Sequence, residues 1–446
     1  MSEEQPAKGG RRRRRRRSRK KSRNGTPAAT GVEAAAEAGA VRTPDGGDAS
    51  GADRPNGGDD GQSVRGSNGS RAPRSQSKAN GSAPHRQRGR YAHTYGAIDL
   101  GTNNCRLLVA RPTKDGFRVI DAYSRIVRLG EGVGRTGELS DAAMDRAIDA
   151  LSACADKMAK RQVTRSWSIA TQACRLAGNG TDFRDAVKDK TGITLDIISP
   201  EREARLAVAG CEPLIEPDTD RALVFDIGGG STELIWLEMD EGRPRIADWI
   251  SLGLGVVTLA ESHNGLEVDP DGYQAMLSHV SSEMAGFVAR YGTANGAQSP
   301  ANLQVLGTSG TVTTLAGMHL GLKRYDRARV DGVWMPRAAV HDLSAKLAAM
   351  PYEERIKQPC IGEERGDLVV AGCAILEAIC QAWPTDQLRV ADRGLREGML
   401  LSLMERADKE ARNKRRRRGG RNRRRTRKRQ GPPQSTQTST APVDPR

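Results

Sequence analysis

Residues 96–110, Gly-Ala-Ile-Asp-Leu-Gly-Thr-Asn-Asn-Cys-Arg-Leu-Leu-Val-Ala, have the pattern of a strand, a tight polar turn and a second strand. Asp99 interrupts the first apolar run, and Gly101 gives the backbone freedom to turn. The turn continues with three small polar residues, Thr102, Asn103 and Asn104. A carboxylate followed by exposed N–H groups suits a metal-bound phosphate. An ordinary hairpin has the same pattern, so this stretch alone leaves both interpretations open.

The same pattern returns later in the chain. Residues 222–227 are an apolar run with one acid, Asp226, and residues 231–237 return as a strand. Three glycines and a serine form the intervening turn: Gly228, Gly229, Gly230 and Ser231. A third turn of this kind, at 307–311, follows the apolar run 303–306. Such a repeat predicts two related halves that face each other across a cleft.

Strands alternate with helical patterns through residues 91–407, which indicates the α/β class. A third strand is predicted at 117–129, and further strands at 166–170 and 195–198. Apolar residues at helical spacing and turn signals predict helices at 141–161, 181–190, 270–291, 336–349 and 366–382, and a last helix that ends near 407.

The net charge of +16 comes from the two ends of the chain. Residues 91–407 hold 35 basic and 43 acidic residues, whereas the rest of the chain holds 36 basic and 12 acidic residues. Residues 1–90 and 408–446 contain arginine runs and few large apolar residues, which predicts disordered tails. Arginine runs bind polyanions with little sequence preference, so RNA, an anionic membrane surface and a long inorganic polyanion are all candidate partners. A solvated tail with no dedicated partner is the alternative.

The seven cysteines form no Cys-x-x-Cys pair, so the sequence predicts neither a zinc site of that spacing nor a small disulfide framework. No apolar run approaches the ~18 residues of a membrane span. The charged N-terminus is not followed by the apolar region of a secretory signal. We therefore expect a cytoplasmic protein with reduced thiols.

The turns and strands bring together residue types that suit hydrolysis of a phosphoanhydride, which needs positioning, charge neutralisation and an oriented water. Asp99 and Asp226 could share one Mg²⁺ from opposite walls of the cleft. Glu203, near the start of a predicted helix, is the candidate base. Arg106 and Arg175 are candidate phosphate ligands. The turn residues predicted to hold phosphate are Gly101, Thr102, Asn103, Asn104, Gly228, Gly229, Gly230, Ser231, Ser309, Gly310 and Thr311.

Six motifs together resemble those of the exopolyphosphatase / guanosine pentaphosphate phosphohydrolase family. In chain order they are Ile-Asp-Leu-Gly-Thr-Asn-Asn-Cys-Arg-Leu-Leu-Val (98–109), Ala-Thr-Gln-Ala-Cys-Arg (170–175), Ile-Ser-Pro-Glu-Arg-Glu-Ala-Arg-Leu (198–206), Val-Phe-Asp-Ile-Gly-Gly-Gly-Ser-Thr-Glu-Leu (224–234), Leu-Gly-Thr-Ser-Gly-Thr (306–311) and Asp-Arg-Gly-Leu-Arg-Glu-Gly-Met-Leu (392–400). The resemblance covers about residues 91–407. It implies two ribonuclease-H-like domains of the actin/Hsp70/sugar-kinase superfamily flanking a cleft, in the short two-domain form of the family.

The resemblance also implies roles for individual residues. Glu203 takes the place of the catalytic glutamate, Asp99 and Asp226 those of the acids in the phosphate loops, and Arg175 that of the motif arginine. Glu233 takes the place of the glutamate that follows the glycine-rich loop. Four positions depart from the common family pattern: Thr102, Asn104, Pro200 and Arg202. These four departures remove no catalytic residue type. They therefore leave the expected chemistry unchanged and leave the substrate preference open.

We therefore expect a Mg²⁺-dependent exopolyphosphatase that releases orthophosphate from inorganic polyphosphate. A monovalent cation is the expected second cofactor, and a homodimer is the expected assembly. The alternatives are a guanosine pentaphosphate (pppGpp) 5′-phosphohydrolase with the same site, a kinase of the same superfold, and an RNA-associated scaffold. The expected divisions are a basic N-terminal tail (1–90), domain I (91–216), domain II (217–407), whose last helix could return to domain I, and an arginine-rich tail (408–446).

Overall fold

The computed structural model describes residues 89–292 and 302–429. The N-terminal tail expected at 1–90 therefore lies outside the described residues except for its last two positions, and so do residues 430–446. Among the residues described, no helix has the length and apolar character needed to cross a membrane.

The first half of the structure is a five-stranded sheet with helices on both faces. Its strands follow the order β3-β2-β1-β4-β5. The elements are β1 (Tyr95–Leu100), β2 (Asn104–Thr113), β3 (Gly116–Ile126), α1 (Val133–Thr136), α2 (Asp141–Lys160), β4 (Arg165–Ala170), α3 (Gln172–Leu176), α4 (Gly180–Thr191), β5 (Leu195–Ile197) and α5 (Pro200–Cys211). Strand β3 ends three residues earlier than predicted, because Val127 and Arg128 donate their backbone N–H groups to Asn103 instead of continuing the ladder.

The second half is built on a six-stranded sheet with the order β10-β11-β9-β6-β7-β8. Its elements are β6 (Arg221–Ile227), β7 (Thr232–Asp240), β8 (Arg243–Leu252), α6 (Val256–Ser262), α7 (Pro270–Tyr291), β9 (Leu303–Thr308), α8 (Gly310–His319), α9 (Arg327–Val330), β10 (Trp334–Pro336), α10 (Arg337–Ala348), α11 (Tyr352–Arg355), α12 (Val369–Ala382), β11 (Gln387–Ala391) and α13 (Leu395–Arg429).

The two halves repeat one topology, as the sequence predicted. In each sheet an antiparallel meander of three strands continues into strands that pair in parallel with its first strand: β3-β2-β1-β4 in one and β8-β7-β6-β9 in the other. The second meander lies 127 positions after the first, and even the irregularities coincide, since the register shifts at Val109/Ala110 and again at Trp236/Leu237. The α/β prediction is confirmed by this architecture.

Helix α13 packs against the first sheet. Met399, Leu400 and Met404 are buried in one cluster with Tyr95 and Ile169 of the first sheet. The helix then continues to Arg429, whereas the sequence predicted a disordered tail from residue 408. Arginine and lysine are good helix formers, and a helix that is already packed extends without a new nucleation step.

Candidate active site

Two structurally equivalent loops form the floor of the cleft. Asp99 is the penultimate residue of β1, and Asp226 is the penultimate residue of β6. In the first loop the N–H of Gly101 donates to the carbonyl of Asn104 at 2.9 Å, and in the second the N–H of Gly228 donates to that of Ser231 at 2.8 Å. The repeated turn therefore places one carboxylate and one set of loop N–H groups on each side.

The two loops touch each other. A Cβ atom at Gly229 would lie 3.0 Å from the backbone nitrogen of Asn103, and one at Gly230 would lie 2.7 Å from Oγ1 of Thr102 and 2.1 Å from Oε1 of Gln172. Glycine is therefore required here by close approach between the two halves, because any side chain would separate the loops. Gln172 was not predicted from the sequence as a site residue.

The third loop begins helix α8. Ser309 has φ +108°, a conformation that non-glycine residues rarely adopt, and its buried hydroxyl has no hydrogen-bond partner among the residues that the structure describes. A Cβ at Gly310 would lie 3.8 Å from Nη2 of Arg106, so this arginine of β2 reaches from the first half to the third loop. Strain of this kind is found where backbone geometry serves a ligand. The side chain of Thr311, in contrast, packs against Gly372 of α12, so the structure does not bring it to the other loops.

Glu203 lies in the first turns of α5, as the sequence predicted. Ser199 caps this helix by accepting the N–H of Arg202 at 3.3 Å, and Pro200 occupies its first turn. Arg175 fixes the carboxylate: its Nη1 donates to the carbonyl of Ile198 at 3.0 Å and to Oε2 of Glu203 at 2.7 Å. Within the part of the chain that the structure describes, the side-chain hydrogen bonds of Glu203 use Oε2 alone, so Oε1 can accept one from a water molecule.

Burial raises the pKa of Glu203 well above its usual value, and the nearby carboxylates of Glu233 and Asp99 raise it further, whereas Arg175 opposes both effects. Glu233 is itself buried on β7, where its Oε1 accepts hydrogen bonds from Ser231 at 2.7 Å and Ser251 at 2.8 Å. A carboxylate with a raised pKa that is held in one orientation is suited to accept a proton near neutral pH.

The two loop carboxylates are also electrostatically perturbed. Burial raises the pKa of Asp99, against the opposing effect of Arg106 and Arg396. Burial, Glu233 and Asp99 together raise the pKa of Asp226 to about 7. The two halves thus bring Asp99 and Asp226 within electrostatic reach of each other and of the same two arginines.

Arg396 is a site residue that the sequence analysis missed. It lies in the first turn of α13, and burial lowers the pKa of its guanidinium while Asp99 and Glu397 oppose that effect. Glu397 is held in turn by Arg327 at 2.6 Å and by the N–H of Gly394 at 2.9 Å. The sequence did contain a signal for Arg396. The residue lies in the motif at 392–400, which is one of the six motifs of the family resemblance and the one to which no role was assigned.

The site can now be compared with known proteins. The sequence model of the Ppx/GppA phosphatase family matches residues 108–407, which is more than half of the chain; β1, the first loop and the start of β2 with Arg106 lie just before the matched range. The chain belongs to the Ppx/GppA phosphatase family.

Individual members of the family agree with this assignment. A Haemophilus influenzae protein named as an exopolyphosphatase is 28% identical over 310 residues, which is 69% of this chain and 90% of that protein. A guanosine-5′-triphosphate,3′-diphosphate pyrophosphatase of Photobacterium profundum is 29% identical over 326 residues, covering 70% of this chain and 59% of the relative. The chain thus spans less than two thirds of the second relative.

Solved structures of the Ppx/GppA family have the same fold. The crystal structure of the Aquifex aeolicus family member matches with a TM-score of 0.58 at 28% identity, covering 70% of this chain and 97% of that one. The crystal structure of an exopolyphosphatase from Cytophaga hutchinsonii matches with a TM-score of 0.63 at 25% identity, covering 70% and 98%.

The chemistry of this Ppx/GppA cleft fits a divalent cation. Asp99 and Asp226 are like charges in one site, a situation that a cation relieves. Three further buried oxygens accept no hydrogen bond from the described part of the chain, namely Oδ1 of Asn103, Oδ1 of Asn104 and Oε1 of Gln172. Within residues 89–292 and 302–429, no group of three or more histidine, cysteine, aspartate or glutamate side chains could hold a metal. A metal held here would therefore complete its coordination with substrate or water oxygens, as Mg²⁺ commonly does.

Proposed function

We propose that this protein hydrolyses the terminal phosphoanhydride of inorganic polyphosphate and releases orthophosphate. The observation that carries the proposal is the arrangement of Glu203, which Arg175 orients beside two touching phosphate loops. Two arginines, Arg106 and Arg396, supply positive charge at the same place. Membership of a phosphatase family and similarity to proteins named exopolyphosphatase support it.

In the proposed reaction Glu203 accepts the proton of the attacking water. Its Oε2 is occupied by Arg175, so the water bonds to Oε1. The water oxygen attacks the terminal phosphorus, the bridging P–O bond breaks, and the shortened polyphosphate leaves with the electron pair. Arg175 maintains the carboxylate orientation throughout, because the Ile198 carbonyl fixes the arginine itself.

The remaining groups bind and neutralise the phosphates. Loop N–H groups at 102–103 and 229–231 and the hydroxyl of Ser309 are donors for phosphate oxygens, whereas the N–H groups of Gly101 and Gly228 close the turns themselves. Arg106 and Arg396 balance the negative charge that the substrate brings into a buried site. Mg²⁺ held by Asp99 and Asp226 would add charge neutralisation at the terminal phosphates.

The proposed role of Glu203 predicts a specific pH dependence. Because the base must be ionised and its pKa is raised, kcat/KM should fall as the pH is lowered, with a midpoint above the usual glutamate range. Glu233→Gln removes one of the causes of the raised pKa, yet its amide oxygen can still accept from Ser231 and Ser251. The acidic limb of its pH–rate profile should therefore move to lower pH. Substrate ionisation is common to both enzymes, so an unshifted limb would contradict the role of Glu203.

The alternative substrate is pppGpp, which presents a terminal phosphoanhydride to the same loops. The similarity to the Photobacterium profundum pyrophosphatase favours this candidate, although the chain spans only 59% of that protein. Polyphosphate remains the first choice because the chain spans 90% of the relative named as an exopolyphosphatase.

One assay separates the two substrates. Phosphate release is measured from long-chain polyphosphate and from pppGpp at equal concentrations of termini, with and without Mg²⁺, and with and without K⁺ as the monovalent cation. We expect a higher kcat/KM for polyphosphate and loss of both activities without Mg²⁺. A higher value for pppGpp would assign the alternative function, and activity unaffected by chelation would exclude the proposed metal site.

We also propose a cytoplasmic location, supported by the cysteines. All seven are free, and six of them are buried. Free thiols without a disulfide are typical of proteins in reducing compartments.

A further inference from the structure

Helix α13 leaves the body of the protein at a defined point. Its acidic residues are all paired: Glu397 with Arg327 at 2.6 Å, Glu405 with Lys409 at 2.6 Å, Asp408 with Arg90 at 2.6 Å and Glu410 with Arg165 at 2.5 Å. Ala407 is the last residue of the helix buried against the first sheet. Beyond Glu410 the described side chains of Arg412, Lys414, Arg416 and Arg417 are exposed.

The segment that follows is strongly basic. Residues 411–429 contain 11 arginines, 2 lysines and no acidic residue. As a helix they form a rod of about 28 Å. Like charges one turn apart destabilise a helix, so the helical form of this segment would be stabilised by an anion that spans many of its cations. A polyanion of extended shape meets that requirement.

Basic side chains of α5 and α13 lie between the cleft and this segment. Arg396 of α13 lies beside Asp99 and Asp226. Farther along, Arg406 of α13 and Arg202 of α5 both lie over the ring of Trp167, at 5.1 Å and 4.5 Å from its centroid. Arg202 is the residue directly before the proposed base. Helices α5 and α13, which carry Glu203 and Arg396, therefore also carry basic side chains along a path from the cleft toward residues 411–429.

The features of this path favour an all-phosphate ligand over RNA. Single-stranded nucleic acids are held by free aromatic faces that stack on the bases. Trp167 already carries two guanidinium groups, and its Nε1 donates to Asp196 at 3.2 Å. The segment 411–429 contains no aromatic residue at all.

We propose that residues 411–429 bind the distal part of a long polyphosphate chain whose terminal phosphate occupies the cleft. This inference rests on the proposed function and extends it to substrate length. From Arg396 to Arg412 the helix rises about 24 Å, so a short substrate in the cleft does not reach the basic segment, whereas a long chain does. The segment thus acts as a length-selective tether.

The first test compares KM values in the full-length chain. Arg415, Arg416, Arg417 and Arg418 are replaced together by glutamine, and the matched control replaces the four N-terminal residues Arg14, Arg15, Arg16 and Arg17 in the same way. The α13 variant should raise the KM for long-chain polyphosphate about tenfold relative to the KM for tripolyphosphate. The control should raise this ratio by less than about twofold. Equal changes in both variants would show that net charge alone is responsible and would overturn the tether.

The second test does not depend on turnover. In the Glu203→Gln background, long-chain polyphosphate should increase the helical signal in far-ultraviolet circular dichroism, because it neutralises the basic segment. The quadruple α13 variant should show a smaller increase. An unchanged signal, or displacement of polyphosphate by an equal phosphate concentration of single-stranded RNA, would overturn the proposal. If polyphosphate binds and raises helicity but the parent enzyme releases no phosphate from it, the proposed function fails and not the binding surface.

Discussion

Replacing Glu203 by glutamine is expected to lower kcat for polyphosphate hydrolysis by about 10³-fold. Glutamine keeps the shape of the side chain and its Oε1 can still accept from Arg175, but an amide cannot take the proton of the attacking water. Since the loops that hold phosphate are unchanged, KM should change far less than kcat. Steady-state kinetics of phosphate release would measure both parameters.

Glu201→Gln is the matched control. Glu201 lies in the same first turn of α5, is exposed, and among the described residues pairs only with Arg205, at 2.7 Å. The exchange changes the helix charge by the same amount as Glu203→Gln, without altering a group that faces the loops. We expect kcat within about twofold of the parent, because an exposed pair of this kind contributes little. Full activity of Glu203→Gln, or an equal loss in both variants, would refute Glu203 as the base.

The fold was predictable because its signals are local. Each of the two loops that follow β1 and β6 is encoded by an apolar strand, an aspartate at its end and a glycine two positions later, so Asp99 and Asp226 could be placed at equivalent strand ends from spacing alone. Glu203 was placed correctly because Ser199 and Pro200 mark the start of its helix. The alternation of strands with helices indicated the α/β class, and in the structure β1 pairs in parallel with β4 and β6 pairs in parallel with β9.

The contacts across the cleft could not be predicted in the same way. Whether Arg106 reaches Gly310, and whether Gly230 touches Thr102, depends on how two separate sheets face each other, and no local pattern carries that information. Arg396 was missed for the same reason, since its neighbours Asp99 and Asp226 lie 297 and 170 positions away. Arg175 was predicted as a phosphate ligand, whereas in the structure it orients the proposed base.

The packing of helix α13 against the first sheet was likewise only partly predictable from the sequence. The motif at 392–400 marked its beginning, and the sequence predicted a last helix that ends near residue 407. The basic composition after Glu410 was interpreted as a disordered tail, because composition reports low apolar content and does not report that a packed helix precedes it.

The second large expected effect is a loss of kcat/KM when the contact between the two loops is disturbed. Gly255 precedes α6, and a Cβ there would lie 2.5 Å from the carbonyl carbon and oxygen of Gly229 and from the nitrogen of Gly230. These are backbone atoms, which cannot rotate away as a side chain could. Gly255→Ala must therefore displace the second phosphate loop from its place against Thr102 and Asn103. A displacement of about 1 Å is expected to lower kcat/KM about 10²-fold.

Gly253→Ala separates this effect from a general loss of stability. Gly253 lies two residues earlier in the same connection, its φ is not in the left-handed region, and a Cβ there would meet no atom within 4 Å. Both variants are examined by thermal unfolding and by phosphate release. We expect Gly253→Ala to retain kcat/KM, and Gly255→Ala to lose activity at temperatures well below its own unfolding transition. If Gly255→Ala retained the parent kcat/KM while folded, the exact placement of the second loop against the first would not be required, and the touching loops could no longer be assigned as the phosphate site.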